Sequence, residues 1–475
     1  MIDSIQTPPL PDADALVASI LDSDFTSMTG RVRSASGSSI RLEGLSAAVG
    51  SVCEIRTAAG STIRGQVIGF DGSSPVLSTI ESSASTAAGD TVRVVDRRWR
   101  LRSGDALLGR VINASGQPID GKPLPPDLSP IETDRRPPSA LARPPVDEIF
   151  ATGVRAIDTM LTCGRGQRLG IFAGSGVGKS TLMGMLARGC RADRIVIAMI
   201  GERGREVNEF IERSLGAEGL ARSVVVVATG DETAVARVTA ADTATSIAES
   251  FRDQGHNVLL LFDSVTRLAM AQREIGLAAG EPPTTRGYPP SVFSILPRMV
   301  ERAGRTTTGS ITAFYTVLVE GDDNNEPIAD TLRGLLDGHI VLDRRLASAG
   351  HYPPIDVLES LSRLAAQIAP PEWTTSAMVA RRRLAAHRRS EDLISIGAYR
   401  AGADPEVDAA IAVKPAIDSV LRQSAEQIVP LDAAAAAIAA AVGETPVVDT
   451  SAGQVEAVKS PNDRPITHPP NEPPT

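Results

Sequence analysis

Residues Ala173 to Thr181 read A-G-S-G-V-G-K-S-T and directly follow the apolar run Leu169 to Phe172. A strand that runs into a glycine loop and then opens a helix restricts the chain to an open α/β architecture. It puts a ring of inward-facing N–H groups at the carboxyl edge of a buried sheet. Gly174, Gly176 and Gly178 let the backbone curl, so that the amides of Gly174 to Thr181, including those of Ser175 and Val177, can converge on phosphate oxygens. Lys179 adds a point charge for β/γ-phosphates, and Ser180 offers a hydroxyl to Mg²⁺. The run T-L-M-G-M-L-A-R from Thr181 reads as a helix whose N-terminus favours anions. In the pattern G-x-x-x-x-G-K-[ST] the first glycine position holds Ala173, which fits if φ is negative there.

Ligands of open α/β sheets bind where strands end, so the residues after each apolar run are the next candidates. Ile195–Ile200 is followed by G-E-R-G-R-E-V. Glu202 can orient a water for attack on a γ-phosphate, with Arg203 beside it as a second catalytic candidate. The competing reading is a surface ion pair of Glu202 with Arg203 or Arg205. The run ending in Phe262 is followed by Asp263, a Walker-B-type acid suited to Mg²⁺ through its water shell. Further on, H-Y-P-P-I-D-V-L-E-S-L-S-R offers Tyr352 as an aromatic face for adenine and Arg363 as a cation for a neighbouring subunit's γ-phosphate. Glu320 to Pro327 reads as an acidic loop that either senses nucleotide or is simply solvated.

The sequence divides into five parts. Residues 1–25 hold a short helical candidate, Asp14 to Leu21, read as a core-packing helix or as a docking arm for a partner. Residues 26–97 alternate β-rich runs (T-G-R-V-R-S, S-I-R-L-E-G-L, S-V-C-E-I-R-T, R-G-Q-V-I-G-F, T-V-R-V-V-D) with Gly, Ser and Asp turns, which suggests a small all-β sandwich or barrel. Residues 98–376 repeat strand then helix. Continuous apolar strands at Arg168–Phe172, Ile195–Ile200, Val224–Ala228, Val258–Phe262, Ile311–Leu318 and His339–Leu342 predict an α/β domain with a mainly parallel sheet. Within it, Arg273 to Gly304 reads as a long ordered loop followed by a helix. Residues 377–442 read as helical, with a basic run at Arg381, Arg382, Arg383, Arg388 and Arg389 and an alanine-rich end. Residues 443–475 lack an apolar period and read as a disordered tail.

Composition removes several classes. Net charge is −9 and aromatics are 3% of the chain, which argues against generic nucleic-acid binding by a basic or stacking surface. The three cysteines, Cys53, Cys163 and Cys190, have no paired spacing and read as reduced thiols of a cytosolic protein. Five histidines form no ligand cluster, and His387 reads as solvated. No stretch approaches the ~18 apolar residues of a membrane span, and the start lacks the pattern of a secretory leader.

Taken in order, A-G-S-G-V-G-K-S-T, G-E-R-G-R-E-V, L-L-L-F-D-S-V-T-R, A-Q-R-E-I-G-L-A-A-G-E-P-P, G-Y-P-P-S-V-F, Y-T-V-L-V-E-G-D-D-N-N-E-P-I-A-D and D-G-H-I-V-L-D-R resemble the type III protein-export ATPases, the flagellum-specific form most of all. The resemblance runs from about Gly109 to Arg363, and in layout to about residue 442. It implies a RecA-like P-loop ATPase core between an N-terminal small β-barrel and a C-terminal helical domain, similar to rotary ATP synthase subunits and assembled as a homo-hexamer. It implies ATP and Mg²⁺ as ligands, with Lys179 and Ser180 on phosphate and metal, Asp263 as the Walker-B acid, and Glu202 as the water-activating carboxylate. Tyr352 then matches the adenine-side aromatic, and Arg363 matches the trans-acting finger. Implied partners are a regulatory subunit, a stalk protein, export chaperones and cargo, with the membrane export gate met indirectly. The implied location is the cytoplasmic periphery of the inner membrane. Weighed against this are an injectisome ATPase, a rotary ATP synthase subunit, an RNA-dependent helicase ring and a non-catalytic scaffold. Tyr288 and the F-A-G-S-G-V-G-K-S form of the loop lean towards the flagellar form.

Overall fold

The computed structural model describes residues 29–443 apart from 37–38, 82–85 and 320–325. The expected helix Asp14–Leu21, the tail after Gly443 and most of the acidic loop at Glu320 lie outside the described residues.

The first described unit is a closed barrel of β1 (Thr29–Ser36), β2 (Ser39–Glu43), β3 (Val52–Arg56), β4 (Thr62–Asp71), β5 (Ser74–Thr79) and β6 (Thr91–Asp96), in the order β1-β2-β5-β4-β3-β6. Period-two alternation builds it: Val32, Ile40, Leu42, Ile55, Ile63, Leu77 and Val92 point inward and are buried. Gly65 is required by close approach, since a Cβ there would lie 2.4 Å from Leu77 Cδ2 and 2.7 Å from the Ser78 carbonyl. The sequence pattern leaves sandwich or barrel open; pairing of β1 with β6 closes the sheet. Strand β5, S-P-V-L-S-T, is absent from the expected runs, because it is buried on both faces from Pro75 to Thr79 and so shows no alternation.

A two-stranded sheet of β7 (Arg100–Ser103) and β9 (Ser129–Glu132) bridges to the α/β core. The core strands are β8 (Arg110–Asn113), β10 (Arg168–Ala173), β11 (Arg194–Ile200), β12 (Ser223–Ala228), β13 (Asn257–Asp263), β14 (Gly304–Arg305), β15 (Ser310–Leu318), β16 (Gly338–Leu342) and β17 (Leu361–Ser362). They are ordered β17-β16-β10-β15-β13-β11-β12-β8, with β14 against β15. All pairs from β16 to β8 are parallel. Only β14 and β17 join antiparallel. The predicted strands are therefore present, each within a residue or so of its expected bounds.

Helices cover both faces, so the strands are buried throughout and read as unbroken apolar runs. Within β11, Val196, Ala198 and Ile200 enter one core and Ile195, Ile197 and Met199 the other. On the second face lie α1 (Arg155–Met160) and α2 (Lys179–Gly189). On the first lie α3 (Ala234–Asp253), α4 (Val265–Ala278), α5 (Pro290–Val300) and α6 (Pro327–Leu335). Helix α4 continues through Arg273 to Ala278, so the expected long loop is shorter than its sequence suggests.

The C-terminal region is helical, with α7 (Pro371–Arg389), α8 (Pro405–Leu421) and α9 (Leu431–Ala441) packed on the second face through Ala380, Ile417, Leu421 and Ile438. Helix α7 starts at Pro371 and runs through the boundary expected at 376, with proline tolerated in the first turn. Four of the five arginines in its basic run are spent internally. Arg388 clasps Asp356 at 2.7 Å, Arg389 bonds Glu406 at 2.9 Å, and Arg381 donates to the Met160 carbonyl at 3.0 Å. His387 is half-buried rather than solvated, and burial pushes its imidazole below the usual histidine range. The three cysteines are buried and unpaired.

Candidate nucleotide site

Strand β10 ends at Ala173, which is buried and is not among the residues with positive φ. Alanine therefore fits where the motif usually has glycine. The loop's special conformations fall on Gly176 and Gly178, with φ of +76° and +112°. Gly178 then caps α2 with no side-chain hydrogen bond, so the first amides of the helix remain available to an anion. Ser175, Ser180 and Thr181 are exposed at this mouth, while Val177 anchors the loop in the core. Arg344 braces the outer flank by donating to the Ser175 carbonyl at 3.2 Å.

Three strands deliver charge to this loop. Lys179 opens α2 at the end of β10, Glu202 follows β11, and Asp263 ends β13. Glu202 is 7% exposed and Asp263 is 2% exposed. Lys179 Nζ lies 3.3 Å from Glu202 Oε1 and also bonds Asp263 Oδ1. Burial works against the Lys179 ammonium, yet the two carboxylates outweigh it and hold its pKa above the usual lysine range. Burial, aided by the like charge of Glu202, lifts Asp263 above the ordinary aspartate range against the pull of Lys179. The backbone around Glu202 is fixed on both sides: Gly201 N–H donates to Ala228 at 2.7 Å, and the Glu202 carbonyl accepts from Gly230 N–H at 3.0 Å.

The alternative ion pair of Glu202 with Arg203 or Arg205 does not form. Arg203 turns to Glu206 at 3.4 Å and Arg205 to Glu209 at 2.8 Å, both largely in solvent. Arg203, a catalytic candidate by sequence, is thus not gathered with Lys179, Glu202 and Asp263. Arg267 occupies the inner position instead. Its stem packs on Gly201, where a Cβ would lie 2.9 Å from Arg267 Cβ, and its Nε is buried without a partner. An orphaned guanidinium donor beside the site is an unmet demand for an anion. The signal was in the sequence: Arg267 closes D-S-V-T-R, one helical turn beyond Asp263.

Tyr352 is 48% exposed and borders the loop: a Cβ at Gly178 would lie 3.9 Å from Tyr352 Cε1 and 3.7 Å from Pro354. Gln423, which the sequence does not single out, ties this rim to the C-terminal region. Its N–H donates to the Tyr352 carbonyl at 2.8 Å. Its side chain accepts from Arg155 N–H at 2.8 Å and donates to the Gly153 carbonyl at 2.8 Å.

Arg363 is elsewhere. Its N–H donates to the Asp337 carbonyl at 3.0 Å, and the Asp337 carboxylate holds Arg168, the first residue of β10. The P-loop leaves the other end of that strand, roughly 17 Å away at 3.3 Å per residue. Arg363 is therefore at the amino edge of the sheet, where it cannot serve its own chain's loop. A cavity of about 850 Å³ flanks the loop on its outer side, between Gly174, Arg333, Arg344 and Arg388, and includes none of Lys179, Glu202 or Asp263.

Comparison with known proteins decides the family. The model of the ATP synthase alpha/beta family, nucleotide-binding domain, matches residues 153–362, and that of the T3SS EscN ATPase C-terminal domain matches residues 369–440. The flagellum-specific ATP synthase of Bacillus subtilis is 51% identical over 431 residues, covering 90% of this chain and 98% of the relative. The chain belongs to the ATP synthase alpha/beta family, in its type III export branch. It is an ATPase of that branch. The SPI-2 type 3 secretion system ATPase of Salmonella typhimurium is 52% identical over 363 residues, covering 76% of this chain and 84% of the relative. The solved structure of the assembled ATPase EscN from enteropathogenic E. coli superposes with a TM-score of 0.82 at 44% identity, covering 87% of this chain and all of that one. A further structure shows EscN with its central stalk EscO. Among the described residues no helix is long and apolar enough to cross a membrane.

Proposed function

We propose that this ATPase hydrolyses MgATP at the interfaces of a homo-hexamer and drives flagellar protein export. The observation that carries the flagellar reading is coverage: 51% identity extends over 90% of this chain and 98% of a flagellum-specific relative. Deleting the gene in its host is expected to abolish filament assembly while leaving other secretion intact, with the plasmid copy restoring it. Filaments on the deletion strain would sink the reading. The second reading, an injectisome ATPase, is favoured by the 52% identity to the SPI-2 relative. It predicts the opposite phenotype, lost effector secretion with filaments retained.

The chemistry follows from the charges. Without substrate, the Lys179 ammonium faces the two carboxylates of Glu202 and Asp263, so these three groups together are negative. Phosphate therefore enters with a divalent cation, and the donors suit Mg²⁺. Asp263 and the Ser180 hydroxyl are hard oxygen ligands, few enough to leave room for water and phosphate. Held by Asp263 and Ser180, Mg²⁺ would supply positive charge against that of the phosphates. Lys179 turns to the phosphates, with the loop amides of Gly174 to Thr181 around them. That releases Glu202 to orient the attacking water, and it gives Arg267 the anion its buried Nε lacks. Tyr352 offers its ring to adenine, with Gln423 holding its backbone. Arg363 completes the site of the adjacent subunit as its finger, and Arg203, exposed beside Glu206, would meet the same interface.

Partners are proposed by analogy with the relatives. EscN binds the central stalk EscO, and an equivalent stalk protein fits the ring here. A regulatory subunit for the N-terminal arm, chaperones and cargo for the helical region, and a cytoplasmic station beside the membrane export gate complete the reading.

A further inference from the structure

We infer that Thr316 is the positioning residue for Asp263, fixing its carboxylate for the metal once Lys179 has left it. The inference rests on the reading of Asp263 as the Mg²⁺-side acid. Parallel register puts two side chains beside Asp263 on the same face of the sheet: Met199 on β11 and Thr316 on β15. Met199 is apolar and buried, so it can donate nothing. Thr316 is fully buried, and its hydroxyl donates to Asp263 Oδ1 at 2.6 Å.

Lys179 bonds the same oxygen. Both donors thus gather on Oδ1, and no described residue hydrogen-bonds Oδ2. While Lys179 is present Thr316 is redundant as a charge partner. When Lys179 swings to phosphate, Thr316 is the donor that stays. The carboxylate then keeps its rotamer because one oxygen is still held from β15, which leaves Oδ2 for the metal. Thr316 sits on the strand itself, paired with Ile171 of β10, so its position is set by the sheet and not by the nucleotide. Neutral donors that orient metal-side ligands are the usual outer support of such sites.

The test is the linkage between Mg²⁺ and ADP in the full-length protein, read by calorimetry as the ratio of ADP affinities with and without Mg²⁺. In Thr316→Val, which keeps the shape and removes the hydroxyl, the ratio is expected to fall ~10-fold or more, with metal-free ADP affinity unchanged. Thr316→Ser should restore it. If the valine variant does not fold, Thr316→Ala carries the same expectation. A ratio equal to wild type in the folded variant overturns the proposal, as does an equal loss with and without metal, which marks a purely structural threonine. Asp263→Asn separates the two levels. If it keeps the ratio, the metal assignment itself fails. If it loses the ratio while Thr316→Val keeps it, only the role of Thr316 fails.

Discussion

Glu202 Oε1 lies 3.3 Å from Lys179 Nζ, so the carboxylate best placed to orient water is tied to the cation best placed to hold phosphate. Substrate must break this pair, which couples phosphate arrival to release of the base. In Glu202→Gln the amide still fills the space beside the loop but cannot take up a proton or polarise water in the same way. Turnover is expected to fall ~10²–10⁴-fold, while nucleotide affinity is kept or raised because a negative charge has gone. Steady-state hydrolysis and binding of a fluorescent ATP analogue measure the two separately. Substantial turnover in this variant would reject Glu202 as the base.

The place of Arg363 makes a different demand. It is anchored to Asp337 at the amino edge of the sheet, a strand length from its own P-loop. Arg363→Ala is expected to bind nucleotide normally and to lose ~10³-fold or more in turnover. Mixed with Glu202→Gln subunits, it should regain activity, because an interface that takes Glu202 from one chain and Arg363 from the other is complete. Random mixing in equal amounts makes about a quarter of head-to-tail interfaces complete. Mixtures as dead as their components would show that the two residues do not meet across an interface.

Asp120 and Arg110 form a fork of two bonds at 2.6 and 2.9 Å, with side chains only 13% and 10% exposed. Hydrogen bonds from Arg110 hold Asp120 well below its ordinary value of 3.8. A depressed carboxylate contributes stability that is complete above the unfolded value and lost as pH falls towards the folded one. Asp120→Asn should therefore lower stability by about 1–3 kcal/mol, equally at pH 5 and pH 8. The gap between the proteins should close only on further acidification, below 3.8. Urea midpoints across that range check it. A gap that changes between pH 5 and pH 8 would show that another group carries the effect.

Sequence legibility divides by distance along the chain. The sheet could be read because each buried parallel strand, such as Val224–Ala228, is a continuous apolar run needing no partner to be seen. The loop from Ala173 to Thr181 could be read because phosphate binding there is local backbone geometry. Gln423 could not, since its meaning lies in a bond to Arg155 that spans 268 positions. Arg203 and Arg267 show the same limit at close range. Both stand near a strand end, and only the packing of α4 on Gly201 tells which turns inward. The boundary at 376 missed helix α7 because Pro370 and Pro371 look like loop punctuation, although proline in the first helical turn costs nothing.

Among the described residues Arg302 is the largest fully buried side chain, and its partner Glu249 is equally hidden, each 1% exposed. Two bonds at 3.1 and 2.7 Å join them, with Asp242 and Ser246 each accepting one more from the guanidinium. The pair clamps α3 to the end of α5, the layer that supports β13 and Asp263 from the first face. Desolvation of both ions nearly cancels their attraction, so the pair as a whole adds little, whereas a lone buried ion is costly. Glu249→Ala alone should destabilise by about 3–5 kcal/mol. Replacing both residues with methionine should recover most of that loss, since neither fully buried charge remains and the Asp242 carboxylate left behind is half exposed. Thermal midpoints of Glu249→Ala and of the double variant decide the matter. A double variant no more stable than Glu249→Ala would mean that the guanidinium, through Asp242 and Ser246, holds this layer on its own.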